Sequence, residues 1–227
     1  GNTQYCYTVA SYDVAGNISG QSAQVCTTTP GGPQPGAHIW SERFGGSGYD
    51  FGVAVAADGS GNVVVTGKSE GPVDLGGGIL YCTSSSNIFV AKYSAAGEHL
   101  WSKCFGDKNS GSGSGTAITV DTSGNVVVTG YFSGKMDFGG GLLTSIGAYD
   151  IFVAKFSGNG HHLGSKSFGG PSDDFGSGVA MDTSGNVIVT GSFTGSVDFG
   201  GGPLVSAGGD DIFVAKFLAH GAHLWSK

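Results

Sequence analysis

The chain has 227 residues and a formal net charge of −7, from 10 Lys and Arg against 17 Asp and Glu. Because no Lys/Arg cluster occurs anywhere, this balance argues against a groove that follows a nucleic-acid backbone. Glycine occurs 45 times, charged residues make up 12%, and the apolar runs are strand-length, a composition that predicts many short strands joined by tight turns and no membrane-spanning helix.

The first predicted element is a β-hairpin within residues 1–29. Apolar and polar residues alternate in QYCYTVA, AGN provides the turn, and SAQVCTT returns as a second strand. Cys6 and Cys26 are equidistant from Gly16, which places them opposite each other and predicts a cross-strand disulfide in an oxidising compartment. The YCYTVASYDVAGNIS motif resembles the end of a bacterial fibronectin type III domain. Residues 30–37, PGGPQPGA, are interpreted as a linker.

After the linker, one pattern occurs three times. DGSGNVVVTG begins at Asp58, DTSGNVVVTG at Asp121 and DTSGNVIVTG at Asp182, so the copies are 63 and 61 residues apart. A glycine-bearing loop beside an apolar run can bind phosphate, but phosphate loops use a following helix N-terminus, and no helical pattern follows here. We therefore interpret DTSGN as the turn between the first two strands of each unit.

Each unit contains four predicted strands. NVVVTG or NVIVTG is preceded by a short strand and followed by about 20 residues with a GGG turn, then by (N/D)IFVAK(Y/F) and HLWSK or its variants. Four antiparallel strands repeated in this way are typical of a β-propeller blade. A β-solenoid is the alternative, but its coils usually need only about 20–30 residues.

These motifs resemble the bacterial SBBP-type β-propeller repeat, named for a seven-bladed propeller. The resemblance covers residues 38–227 and implies blades at about 45–105, 106–168 and 169–227, with 38–44 as an orphan outer strand. Three blades do not close a ring, since propellers have about four to eight. We therefore expect a fragment of a longer protein, with further blades in the same polypeptide and an extracytoplasmic setting.

Five carboxylates are candidate calcium ligands, because Asp beside Gly on a tight loop can supply the oxygens that calcium requires. No DxDxDG spacing accompanies them. The alternative is that they cap turns through backbone N–H groups. The candidates are Asp74, Asp137, Asp198, Asp150 and Asp211.

Other repeated residues have simpler interpretations. The histidines that begin HIWS, HLWS and HLGS are one repeat position on different blades, and we interpret them as surface residues and not as metal ligands. Trp40, Trp101 and Trp225 also share one position, occupied by Gly164 in the third of its four copies, where an indole can stack on a sugar or pack between blades. The predicted register does not place Cys82 opposite Cys104, so that pairing is not favoured.

The chain carries no GxSxG, HExxH or Cys–His motif, and we expect no enzymatic activity and no cofactor other than the candidate calcium. The neighbouring carboxylates Asp173–Asp174 and Asp210–Asp211 leave glycoside cleavage open, if absent blades bring them together.

We expect a non-catalytic scaffold or binding module of a large bacterial secreted or cell-surface protein, whose secretion signal lies outside this chain. Its protein or carbohydrate ligand is expected at the rim, on the linkers 68–86, 131–149 and 192–209 and the connections 106–114 and 169–177. The alternatives are a carbohydrate-binding or adhesion module assisted by calcium, and an accessory domain of a secreted hydrolase or lyase.

Overall fold

A computed structural model describes residues 2–8, 25–30, 37–82, 84–106 and 111–227. Every regular element in these ranges is a β-strand, which confirms the all-β prediction. In chain order the strands are β1 (Asn2–Tyr7), β2 (Val25–Pro30), β3 (Gly45–Gly46), β4 (Asp50–Ala57), β5 (Val63–Ser69), β6 (Val73–Asp74), β7 (Ile79–Leu80), β8 (Asn87–Tyr93), β9 (His99–Phe105), β10 (Ser112–Val120), β11 (Val126–Ser133), β12 (Lys135–Asp137), β13 (Leu142–Thr144), β14 (Asp150–Phe156), β15 (His162–Phe168), β16 (Asp174–Met181), β17 (Val187–Phe193), β18 (Ser196–Asp198), β19 (Pro203–Val205), β20 (Asp211–Phe217) and β21 (His223–Ser226).

Three four-stranded antiparallel sheets form the blades. Blade 1 has the order β4-β5-β8-β9, blade 2 has β10-β11-β14-β15, and blade 3 has β16-β17-β20-β21. The first strand of blade 2, β10, contacts both β4 and β16. The blades therefore follow one another side by side with their first strands adjacent, which is the arrangement of a partial propeller and not of a solenoid.

The NVVVTG motif forms the second strand of each blade. In blade 2 its three valines point alternately to the two faces of the sheet. Val126 and Val128 belong to the apolar cluster shared with blade 1, and Val127 to the cluster shared with blade 3. All three are fully buried, as expected for a sheet covered on both sides. Thr129 Oγ1 donates a hydrogen bond to the Phe152 carbonyl at 2.6 Å. At Gly130 a Cβ would lie 2.0 Å from the Ser114 carbonyl, so only glycine fits there.

The DTSGN segment is a turn, as predicted. Asp121 Oδ1 accepts hydrogen bonds from the backbone N–H groups of Ser123 (2.9 Å) and Asn125 (2.8 Å), and Oδ2 accepts one from the Asn125 side chain at 2.8 Å. Gly124 has φ of 79°, the left-handed region that glycine adopts without strain. The same contacts recur at Asp58 and Asp182.

The GGG linkers fold back over the blades as small hairpins. β12 pairs with β13, and β18 with β19, while β6 pairs with β7 and β3. In blade 2, Met136 and Phe138 from this hairpin are fully buried. Phe138 lies between Phe152 of its own blade, at 4.7 Å between ring centroids, and Phe105 of blade 1, at 4.9 Å.

The histidines clamp these hairpins to the fourth strand of their blade. The His162 ring covers the GGG turn so closely that a Cβ on Gly140 would lie 2.1 Å from its Cε1. Its Nε2 is 3.1 Å from Ser165 Oγ, and the ring meets Phe156 edge-on at 6.1 Å. The corresponding histidines make the same contacts in blades 1 and 3. The three blade histidines expected to be plain surface residues are therefore packing elements, whereas His38, which precedes the blades, is exposed as expected.

One aromatic ring from the fourth strand enters the core of the following blade. Phe105 stacks on Phe156 at 5.5 Å, and Phe168 on Phe217 at 5.1 Å. Phe44 stacks on Tyr93 of blade 1 at 4.8 Å in the same way. Residues 38–44 thus occupy the place of a preceding blade's outer strand. The predicted outer strand at 38–44 does not form, because the described residues contain no preceding sheet with which it could pair.

The N-terminal hairpin is formed by β1 and β2, and its register places Cys6 directly opposite Cys26. The two cysteines form a disulfide. The predicted AGN turn at Gly16 lies outside the described residues, and the resemblance to a fibronectin type III domain stays a prediction.

Replacing Gly140 by alanine should destabilise the protein, because the new methyl group and the His162 ring compete for one space. We expect the free energy of unfolding, measured by urea denaturation, to fall by about 1–3 kcal/mol. Gly59→Ala is the matched control, since a Cβ there meets nothing within 4 Å. In a His162→Ala background the cost of Gly140→Ala should largely disappear. An equal loss of unfolding free energy in both backgrounds would contradict the packing of His162 on Gly140.

Candidate functional site at the connection rim

One end of the blades brings together the linkers and the blade-to-blade connections, and we call it the connection rim. It is formed by residues 45–50, 84–87, 111–113, 145–150, 169–174 and 206–211. Tyr149 N donates to Asp173 Oδ1 at 3.2 Å, and Asp174 N donates to the Tyr149 carbonyl at 2.8 Å. Ser86 exchanges two hydrogen bonds of 3.2 Å with Gly113 across blades 1 and 2. Residues 107–110, within a connection expected to bind ligand, lie outside the described residues.

Only the ends of the linkers belong to this rim. Two apolar residues of each linker, two positions apart, are buried in the core, whereas the GGG turn that follows them is exposed. The buried residues are Val73, Leu75, Met136, Phe138, Val197 and Phe199. These buried residues are not available to a ligand, and the expectation that the exposed parts of the linkers bind ligand stays a prediction.

Three aromatic rings from different elements meet at the rim between blades 2 and 3. Tyr131 in β11 lies 5.2 Å from Tyr149 in the linker and 5.1 Å from Phe175 in β16, both edge-on. Burial raises the pKa of the Tyr131 hydroxyl, with a smaller contribution from Tyr149. Sequence reasoning missed this cluster. The available signal was variation, since Lys68 and Ser192 stand at the corresponding positions of blades 1 and 3.

Two buried carboxylates at the connection rim accept hydrogen bonds from the loop backbone. Asp150 accepts hydrogen bonds from the backbone N–H groups of Ile146 (3.1 Å) and Gly147 (3.3 Å). Asp174 accepts from those of Gly170 (2.7 Å) and Thr194 (3.3 Å). Both side chains are at most 1% exposed, and burial raises the pKa of each carboxyl. Their oxygens fix loop backbone in place.

One member of each carboxylate pair considered for glycoside cleavage, Asp174 and Asp210, accepts a hydrogen bond from Thr194. Its backbone N–H donates to Asp174, and its hydroxyl donates to Asp210. Asp211 accepts a hydrogen bond from the Ala207 backbone N–H. Thr194 therefore links one carboxylate of each pair, while Asp173 accepts its hydrogen bond from Tyr149 of the blade 2 linker.

The remaining calcium candidates cap their own GGG turns. Asp137 Oδ1 accepts hydrogen bonds from Gly139 N at 2.7 Å and Gly141 N at 3.1 Å. Asp74 and Asp198 make the corresponding pairs of bonds. Within the described ranges, no group of three or more His, Cys, Asp or Glu residues is arranged to hold a metal ion.

The opposite end of the blades carries the DxSGN turns, and we call it the turn rim. Lys92 Nζ lies 3.1 Å from Asp58 Oδ2, and Lys216 Nζ lies 2.8 Å from Asp182 Oδ2. Burial acts to raise the pKa of Asp58, but hydrogen bonds from Asn62, Lys92 and the turn outweigh it and lower the pKa. The Lys216 ammonium is the main cause of the lowered pKa of Asp182.

The tryptophans lie against the turn rim of the next unit. Trp101 Nε1 donates to the Gly158 carbonyl at 3.0 Å, and a Cβ on Gly160 would lie 2.9 Å from the indole. Trp40 covers Gly97 in the same way. Trp101 packs between blades 1 and 2, and Trp40 packs on blade 1 from the segment before it, whereas Trp225 of blade 3 is 40% exposed.

A disulfide joins Cys82 to Cys104, contrary to the expectation from register. Cys82 follows β7 and has no ladder partner in β9, so strand register does not govern the contact. The hairpin instead folds back over the blade and brings the two Cα atoms to 5.9 Å. In the chain-entropy account, closing a loop of this size stabilises by ~3 kcal/mol.

The comparisons with known proteins agree with this architecture. A family model described as a beta-propeller repeat (SBBP) matches residues 39–72. The chain is 30% identical over 115 residues to an uncharacterized WD repeat-containing protein of Acanthamoeba polyphaga mimivirus. That match covers 43% of this chain and 8% of the viral protein, so the chain spans only a small part of its relative. Across the described ranges, no helix is long and apolar enough to cross a membrane.

The stability conferred by Asp150 should depend on pH in a sense opposite to that of an ion-paired carboxylate. Its folded-state pKa is raised above the ordinary 3.8. The free energy of unfolding therefore rises as pH falls through the folded pKa towards 3.8, and this gain is lost as pH rises. Asp150→Asn removes the titration, so wild type should gain stability relative to this variant as pH is lowered from 7 towards 4.

Asn87 occupies the same position in blade 1 and is a natural precedent for that variant, accepting a hydrogen bond from Ser84 N at 2.8 Å. We expect Asp150→Asn to be at least as stable as wild type at pH 7 in urea denaturation. Asp150→Ala should lose about 1–3 kcal/mol, because the N–H groups of Ile146 and Gly147 lose their acceptor. A stability difference between wild type and Asp150→Asn that does not change with pH would contradict the assignment.

Proposed function

We propose that the chain is part of a non-catalytic scaffold or binding module whose ligand binds at the connection rim. The observation that carries the proposal is a division of roles. The Asp residues of the DxSGN and GGG turns recur in every blade and bond to their own turns, whereas Tyr131 and Tyr149, which differ between blades, meet Phe175 at the connection rim. The Tyr131, Tyr149 and Phe175 cluster lies there, and aromatic rings with a polar tip are favoured at binding surfaces.

We further propose that the parent protein is a large bacterial secreted or cell-surface protein with more blades. The disulfides Cys6–Cys26 and Cys82–Cys104 support an oxidising compartment. The exposed Trp225 supports a following blade, because the corresponding Trp101 is covered by the next blade's turn.

The proposal of a non-catalytic role rests on how the candidate groups are used. Catalysis needs a nucleophile, base and acid that converge on one reacting atom. Asp150, Asp174 and Asp137 instead accept hydrogen bonds from loop backbone, and these bonds support a structural role.

A carbohydrate-binding or adhesion module is the second candidate, because the indole of Trp225 offers a face on which a sugar can stack if no further blade covers it. Calcium bound by the GGG carboxylates belongs to this alternative. The third, an accessory domain of a secreted hydrolase or lyase, is decided by whether the surrounding reading frame encodes a catalytic domain.

Cross-linking in the full-length protein of the producing cells tests the rim. A photo-reactive benzoylphenylalanine replaces Ile146 at the connection rim, which is 72% exposed, or Leu100 on β9 as a control away from this rim, which is 47% exposed. Because the ligand is proposed to sit at the connection rim, we expect adducts, detected by mass spectrometry, from position 146 and few from position 100. Equal yields at the two positions, or none at 146, would argue against the rim as the binding surface.

Calcium and glycans separate the first two candidates. A scaffold whose carboxylates cap turns should show no change in melting temperature in millimolar calcium and no signal on a glycan array. A rise of several degrees with calcium that Asp137→Ala reduces, or a glycan signal lost in Trp225→Ala, would replace the scaffold proposal by the carbohydrate-binding one.

A further inference from the structure

A cavity of ≈ 270 Å³ lies in the seam between blades 2 and 3, on the turn-rim side. Blade 2 contributes Val127, Val153 and Gly164, and blade 3 contributes Phe217 and the turn at Ala219–Gly221. A Cβ built on Gly164 meets no atom within 4 Å. The seam is therefore open at this residue.

The equivalent place between blades 1 and 2 is filled by a side chain of the chain itself. Trp101 occupies the position of Gly164, and its indole ring packs on Phe156, with 6.4 Å between centroids, and on Gly160. Its N–H donates to the Gly158 carbonyl at 3.0 Å. By the repeat, Phe217, Gly221 and the Ala219 carbonyl of blade 3 correspond to Phe156, Gly160 and the Gly158 carbonyl. Blade 3 thus retains the surface on which an indole packs, and Gly164 removes the indole.

Side chains next to Gly164 are more exposed than their counterparts next to Trp101. Beside Trp101, Val90 is fully buried and Lys92 is 3% exposed and paired with Asp58. In blade 2 the corresponding Val153 and Lys155 are partly exposed. Lys155 Nζ lies 3.4 Å from the Ala219 carbonyl. The cavity therefore has an apolar floor, a carbonyl acceptor and an ammonium group at its mouth.

We propose that this cavity binds a small planar aromatic compound with a ring N–H donor, of the indole class. The ring would lie over Val127, Val153 and Gly221, and its N–H would donate to the second lone pair of the Ala219 carbonyl, which also accepts from Lys155. Lys166, whose Nζ bonds to the Gly221 carbonyl at 2.6 Å, lies with Lys155 in the lining, so an anionic substituent is favoured over a cationic one. The volume is near the lower end of that of small-ligand sites.

This inference does not depend on the proposed function. The cavity is next to the β20–β21 turn at the turn rim, whereas the proposed ligand surface is at the connection rim. If one of the two sites binds no ligand, the case for the other is unchanged.

Indole itself is the first probe, titrated into the 227-residue protein by calorimetry and by methyl NMR. We expect saturable binding to one site, with shifts confined to methyl groups at the cavity such as those of Val127, Val153 and Leu163. Indole-3-propionate should bind more tightly than tryptamine. Because 1-methylindole lacks the N–H, it should bind about fivefold more weakly than indole.

Two variants provide the controls. Gly164→Trp should fill the cavity, weaken indole binding at least about tenfold and raise the melting temperature, which also shows that the variant folds. Trp101→Gly should open a second site and raise the stoichiometry to two. No binding to wild type, equal binding to Gly164→Trp, equal affinity for indole and 1-methylindole, or methyl shifts outside the cavity would overturn the proposal. If Trp101→Gly does not fold, the wild-type and Gly164→Trp titrations decide alone.

Discussion

The insertion of one aromatic ring from each fourth strand into the following blade is the contact on which the rest of the structure depends. Phe105 lies among Phe138 and Phe156 of blade 2, and Phe168 occupies the same place in blade 3. Two apolar clusters accordingly run between neighbouring blades, and a third lies in blade 1 with Trp40 and Phe44 packed against it. A single blade cannot bury both of its faces, so its stability comes from its neighbours, as in other repeat proteins.

The two rims have different electrostatic characters although both are rich in aspartate. At the turn rim, Asp58 and Asp182 pair with lysines and their pKa values are lowered, so their stabilisation is present above pH 3.8 and is lost as pH falls through the folded pKa. At the connection rim, Asp150 and Asp174 are buried against backbone N–H groups and their pKa values are raised. The turn rim thus gains from ionised carboxylates, whereas the connection rim holds its carboxylates at a cost from desolvation.

Local motifs were predictable from the sequence, and contacts between distant motifs were not. The DTSGN turn and the buried VVV strand follow from spacing and composition alone. The clamp of His162 on Gly140 was hidden, because two motifs with the same 61–63-residue period give no sign that they touch. Cys82 and Cys104 were missed for a related reason, since the hairpin that joins them folds over the sheet outside the ladder. At the candidate site, the variable connections were recognised, but the meeting of Tyr131, Tyr149 and Phe175 needed three-dimensional coordinates.

The contact between blades has a direction. The face that donates the phenylalanine ring differs from the face that receives it, so identical units join in a head-to-tail, heterologous manner. Such an interface ends only when a ring closes or when a separate segment covers the last open face. On the receiving side of blade 1, Phe44 and Trp40 pack on Tyr93, and Tyr7 of the N-terminal hairpin lies against Trp40. A short segment and a two-stranded hairpin thus occupy a face that in blades 2 and 3 is occupied by the preceding blade.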